Sequence, residues 1–130
     1  MKIEEHINYW IDSAESDLQV AERLYNMGDY NWCLYIGHLV LEKILKAHFV
    51  NDNKKTPPKI HDLVKISINT NLDLDTEKKN FLNLVTTFNI EARYPEDKQK
   101  FYQLCTQDFT EDNFNKIKEM FIWLKSQIKY

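Results

Sequence analysis

Glycine is nearly missing from this chain, with two in 130 residues, and proline is limited to three. Sandwiches and barrels need many tight turns, so this small supply of turn formers excludes an all-β fold. It also removes the glycine-rich phosphate cradles. Neither G-x-G-x-x-G nor G-x-x-x-x-G-K is present, so the chain is no P-loop or Rossmann nucleotide binder. Cysteine is equally thin. Cys33 and Cys105 stand alone, with no C-x-x-C and no Cys/His cluster at zinc-site spacing. Two isolated thiols, one of them in an apolar segment, fit a reducing compartment. No uncharged apolar run reaches the 18 residues of a membrane span, and the opening MKIEEHINYW is acidic where a signal peptide is basic and apolar. A cytoplasmic protein without membrane association is the expectation.

What the chain does have is helical periodicity. Its length suits a single domain over residues 1–130 with a continuous core. Ile7, Ile11, Ala14, Leu18, Ala21 and Tyr25 recur at 4-3-4-3-4 spacing, which predicts a first helix over about 3–27, closed by Met27-Gly28. Asp29 is placed to cap a second helix ending near Val50, because Asn51-Asp52-Asn53 reads as a turn. Cys33, Gly37, Val40, Ile44 and Ala47 line one face of that helix, and Ile36, Leu41 and Leu45 widen it until little is left for water. Such a helix belongs at the centre of a bundle. Further on, the pattern predicts a short helix over 60–69 and one over 76–90 capped by Asp75 or Thr76. The latter would pack through Phe81, Leu84, Val85 and Phe88. An irregular or hinged stretch is predicted over 91–100 around Pro95, with a short helix near 97–106. A last helix over 111–129 would use Phe114, Ile117, Phe121, Leu124 and Ile128. Nothing alternates as a strand does. The expected fold is all-α, an up-and-down bundle of four main helices with one or two additional short ones.

The net charge of −3 hides a polarity. Residues 1–30 carry seven carboxylates against Lys2 and Arg23, whereas residues 41–65 carry six lysines against three carboxylates. One reading is attraction between the first helix and the second inside the bundle. The other is a local anion-attracting surface around Lys46, Lys54, Lys55 and Lys59. The overall acidity argues against strong non-specific nucleic-acid binding.

Four groups of side chains are candidates for a site. Glu42 and Lys46 form an i, i+4 pair in the favourable orientation, on a helix too apolar for an ordinary surface pair. His38, four residues before Glu42, could share a metal with it, but two ligands do not make a site; it reads instead as a histidine hydrogen-bonded at a bundle edge, and no metal is expected. His61 follows Pro57-Pro58-Lys59-Ile60 and precedes Asp62-Leu63. It suits a tether of that loop to the bundle, or a titratable group beside an anion site. Arg93-Tyr94-Pro95 joins a planar cationic fork to a stacking face and a rigid backbone. With only Arg23 as a second arginine, Arg93 reads as a binding group or as the partner of Asp12 or Asp17 in the first helix. Neither cysteine has an adjacent base, and no serine–histidine–acid order is suggested.

These pieces carry a resemblance. An early A-x-x-D-L-x-x-A-x-x-L (Ala14, Asp17, Leu18, Ala21, Leu24) is followed by Tyr30 and Cys33. A helix with Glu42-Lys43-x-x-Lys46-Ala47 comes next, then a proline loop with His61-x-Leu63, and later Ala92-Arg93-Tyr94-Pro95. Over about residues 5–128 this order resembles the HEPN domain, the helical family of prokaryotic and higher-eukaryotic nucleotide-binding proteins. The resemblance implies a bundle of four or five helices, commonly a homodimer, often paired with a separately encoded minimal nucleotidyltransferase as a complex or a toxin–antitoxin pair. Many members are metal-independent RNA endonucleases, similar to one another in an arginine followed four to six residues later by histidine. This chain departs there. Lys98, Gln99 and Lys100 follow Arg93 at those distances, and Gly28, Asp29 and Tyr30 follow Arg23. The nuclease activity is therefore not carried over. The expected function is a non-catalytic module, without cofactor, that partners the nucleotidyltransferase and binds nucleotide or polynucleotide through Arg93, Tyr94, Lys46, His61 and Glu42. The alternative is an RNA endonuclease toxin with a non-standard set of His61, Arg93 and Tyr94. Trp10, Trp32, Trp123, Tyr9 and Tyr35 fall beside the main stripes of their helices, which favours a second covered surface, as in a two-fold homodimer.

Overall fold

A computed structural model describes residues 2–129 as six helices, with no strand among them. They are α1 (Ile3–Asn26), α2 (Tyr30–Asn53), α3 (Leu63–Ile68), α4 (Thr76–Arg93), α5 (Pro95–Leu104) and α6 (Gln107–Ser126). The four long ones make the bundle, and α3 and α5 are the short additions. α1 and α2 form an antiparallel hairpin across Met27–Asp29, and Gly28 takes the left-handed φ of 81° that the tight link requires.

α2 is the axis of the molecule. It packs against all five other helices, and from Val40 to Val50 only Lys43 escapes burial. Gly37 lets α6 approach closely: a Cβ there would lie 2.8 Å from Ile117 Cδ1. The first-helix stripe is buried at Ile7, Ile11, Ala14 and Ala21. α6 contributes Phe114, Ile117, Phe121 and Leu124, and α4 contributes Leu82, Val85 and Phe88. The attraction between the first helix and the second acts through one pair, that of Lys43, and α6 supplies two more pairs to α1. Lys43 of α2 meets Asp17 of α1 at 2.7 Å, Lys118 of α6 meets Glu22 at 3.1 Å, and Lys125 meets Glu15.

Several boundaries differ from the sequence-based expectation. α2 runs through Asn51-Asp52-Asn53 because Asn53 Nδ2 donates back to the carbonyls of Phe49 and Asn69, and Lys54 ends the helix in the left-handed region. α3 starts only at Leu63, where Asp62 caps it by accepting from Lys65 N–H. The irregular stretch at 91–100 does not exist. α4 continues to Arg93 and α5 begins at Pro95, so Tyr94 alone is non-helical. Proline has no N–H to lose at a first helical position, so it starts a helix here as easily as it breaks one. α6 begins at Gln107, ahead of 111, because Thr106 caps it by accepting from Phe109 N–H. Leu84 is not a packing position: it is exposed. Cys33 and Cys105 are both buried and free, and burial pushes each thiol up to about 12.

Candidate functional site

The site starts from three residues one turn apart on α2, His38, Glu42 and Lys46. All are buried, at 0%, 5% and 6% exposure. A lone carboxylate at that depth is costly, and it persists only when its oxygens are matched by donors. Lys46 Nζ donates to Glu42 Oε2 at 3.0 Å. The ammonium also lies 5.5 Å from the centre of the Trp10 ring, so α1 roofs the pair with an aromatic face. The other oxygen, Oε1, accepts from His61 Nδ1 at 2.8 Å.

His61 is brought there by an extended, proline-bounded segment and is held twice. Its side chain is fixed by Glu42, and its carbonyl accepts from His38 Nε2 at 2.8 Å. His38 is thereby committed to an Nε2–H tautomer. Its buried Nδ1 has no hydrogen-bond partner among the described residues and lies 3.9 Å from Glu42 Oε1. Burial lowers the His38 pKa, outweighing the hydrogen bond to the His61 carbonyl and the Glu42 charge, which both raise it. At that distance and in that state, His38 and Glu42 are not an ion pair. His61 differs: its side chain is 45% exposed, and Nε2 has no partner among the described residues. A residue held through one ring nitrogen and its carbonyl, with the other ring nitrogen left exposed, has more fixing than a loop tether requires.

The sequence-predicted residues divide into two groups. Glu42, Lys46 and His61 come together as one hydrogen-bonded chain. Arg93, the last residue of α4, is exposed, and it follows by two turns, on the same helix face, Thr86, whose hydroxyl accepts from the N–H of Leu63 just after His61. The salt bridge from Arg93 to Asp12 or Asp17 is not formed, because Lys43 takes Asp17. Tyr94 is exposed at the α4–α5 junction, with no hydrogen bond to the chain of Glu42. The expected anion surface loses its first member. Lys46 is buried on Glu42, while Lys54, Lys55 and Lys59 are exposed elsewhere. No group of three metal-ligating side chains occurs among the described residues. The off-stripe aromatics also divide: Trp10 packs into the molecule, while Tyr9 and Trp32 remain exposed.

His38 is hydrogen-bonded as expected, but it is fully buried rather than at an edge, and its partner is not visible in the sequence. Its spacing from Glu42 is visible there, but its hydrogen bond to the carbonyl of His61, 23 positions away, follows only from the course of the loop. No helix among the described residues is long and apolar enough to cross a membrane.

A family model described as HEPN domain matches residues 7–127. No curated relative matches the chain. Among solved structures, TT1696 from Thermus thermophilus superimposes with a TM-score of 0.81 at 15% identity, covering 95% of this chain and 98% of that one. That likeness speaks for the fold alone.

Proposed function

The chain belongs to the HEPN family, and from that premise we propose that it is a binding module that captures a phosphate-bearing ligand at Arg93. In this reading it acts as a two-fold dimer alongside a minimal nucleotidyltransferase, the arrangement that the family resemblance implies. The observation that supports it is the state of Arg93. The charged groups at the centre of the site are matched, Glu42 by Lys46 and His61, and Lys43 by Asp17. The Arg93 guanidinium is exposed and has no hydrogen bond or ion pair among the described residues. An arginine fork without a protein acceptor is suited to two parallel bonds with a phosphate. Tyr94 next to it offers a ring on which a base can stack.

Titration with ATP and with a short oligouridylate, by the free chain and with a minimal nucleotidyltransferase encoded beside it added, tests this. Arg93→Ala is expected to lose about 1.5–3 kcal/mol, a factor of roughly ten or more in affinity, with an unchanged melting temperature. Arg93→Lys should recover only part of it, because the fork is gone. No binding by the wild-type protein in either setting overturns the reading. A light-scattering mass of 15.7 kDa at micromolar concentration overturns the dimer.

The pinned His61 favours a second reading, cleavage of RNA without a metal. In that reaction His61 Nε2 takes the 2′-hydroxyl proton, the 2′-oxygen bonds to phosphorus, and the 5′-oxygen leaves with a proton from solvent. Arg93 faces the charge that develops on the phosphorane. Products ending in 2′,3′-cyclic phosphate, absent with His61→Ala, would establish it.

A further inference from the structure

We infer that an anion bound at Arg93 is captured together with one proton, which is taken up by His61 on Nε2, and that Glu42 is the positioning residue behind this. The inference rests on the reading of Arg93 as a phosphate-binding group.

The tautomer carries the inference. A carboxylate can only accept, so the short contact of 2.8 Å to Glu42 Oε1 places a proton on His61 Nδ1. In the neutral ring the second nitrogen, Nε2, is then a bare lone pair. That lone pair is on the exposed imidazole, and Leu63, two residues on, donates its N–H to Thr86 Oγ1 at 3.2 Å, on the face of α4 that carries Arg93 two turns later. A lone pair repels the oxygen of an anion. Once Nε2 gains a proton from solvent, both nitrogens are donors: Nδ1–H stays on Glu42 and Nε2–H turns to the anion. No covalent bond is made or broken apart from this N–H bond.

The neighbouring groups leave no other acceptor for the proton. From α2, His38 has its Nε2–H committed to the carbonyl of His61, and burial holds the ring neutral. Lys46 is buried and already donates to Glu42, whose other oxygen holds His61. From α4, Arg93 is a donor only. Within the loop itself, Asp62 is committed to capping α3, and Lys59 is a cation with no acceptor site.

The experiment uses a nine-nucleotide oligouridylate without terminal phosphates, so that the probe itself takes up no proton. Calorimetric titration at pH 7 in two buffers of different ionisation enthalpy should give a net uptake between zero and one proton. Affinity should rise as pH falls from 8 to 6, by at most about tenfold per unit for a single proton. His61→Gln, exposed and able to donate through its amide, should still bind, but with no uptake and no pH dependence. Nitrogen-15 spectra of the free protein should show the neutral His61 ring protonated on Nδ1, and Glu42→Gln should mix the two tautomers. Binding by the wild type without uptake, uptake retained in His61→Gln, or an Nε2–H ring in the free protein each overturns the inference while leaving Arg93 as a binding residue. Absence of binding at every pH overturns both.

Discussion

A buried charge reveals its importance by what happens when its partner is removed. Glu42 is matched on one oxygen by Lys46 and on the other by His61. Lys46→Met keeps the apolar stem under Trp10 but leaves the carboxylate with one partner in a place water hardly reaches. Breaking a buried pair in this way costs about 3–5 kcal/mol, and denaturant unfolding should show it. Pairing the change with Glu42→Leu should return most of the loss, because an apolar pair of similar volume has no charge to strand. A double variant no better than Lys46→Met alone would mean that the lysine acts through packing rather than charge. Much of this is legible at residue scale. Glu42 and Lys46 stand out as a charged pair on a helix too apolar for one, His61 as the histidine of a proline loop, and Arg93 as one of only two arginines. The pairing of Glu42 with His61 is not legible, because it depends on where a loop with no periodicity returns to the bundle.

At the scale of the element, α2 shows what periodicity can and cannot give. Its breadth of apolar residues predicts a place at the centre, and it is there, touching every other helix. The glycine within it reads as a small residue on a face, but the neighbour that needs it small is visible only in the packing. Gly37→Ala sets two terms against each other. Alanine favours the helix by about 1 kcal/mol, while its methyl meets Ile117 Cδ1 at 2.8 Å, and crowding of that kind costs about 1–3 kcal/mol. The expected net effect is a small loss of stability. Ile117→Val deletes the offending atom, so in the double variant the alanine should become neutral or stabilising relative to Ile117→Val alone. Equal effects of Gly37→Ala in both backgrounds would show that α6 has simply moved aside. The α4–α5 junction carries the complementary lesson. Pro95 reads as a breaker in the sequence, yet at a first helical position it restarts the helix within one residue.

The whole molecule responds to acid through its buried imidazoles. His48 donates to the carbonyl of Leu124 at 2.7 Å, tying α2 to α6, and His38 donates to that of His61. Burial lowers both below the ordinary histidine value of 6.5. Below 6.5 the unfolded chain therefore binds more protons than the folded one. The stability they confer is complete above 6.5 and is lost as pH falls toward the lowered values. The melting temperature should accordingly be lower at pH 5 than at pH 7.5. Glu91, raised by burial, works in the opposite direction and gains from acid, so a comparison isolates the imidazole. His48→Gln keeps a donor for Leu124 without titrating, and its melting temperature should fall less across the same interval. An identical slope in both proteins would show that His48 does not contribute. The fold class and the order of helices are readable at this scale because they rest on spacing. The helix ends shift because Asn53, Asp62 and Thr106 act through one or two side-chain hydrogen bonds each, enough to add or remove a turn.

The reach of His61 has an evolutionary side. The ring is delivered by a stretch without regular structure, Thr56 to Asp62, in which His61 is tied to α2 by two hydrogen bonds. Inserting or deleting one residue between Pro58 and His61 would leave all six helices with their cores and caps, yet move the imidazole off the carboxylate. A lineage can therefore discard this site, or acquire it, by a single change of length in a surface loop. The bundle persists while its chemistry is switched in and out, so relatives that share the fold need not share the reaction.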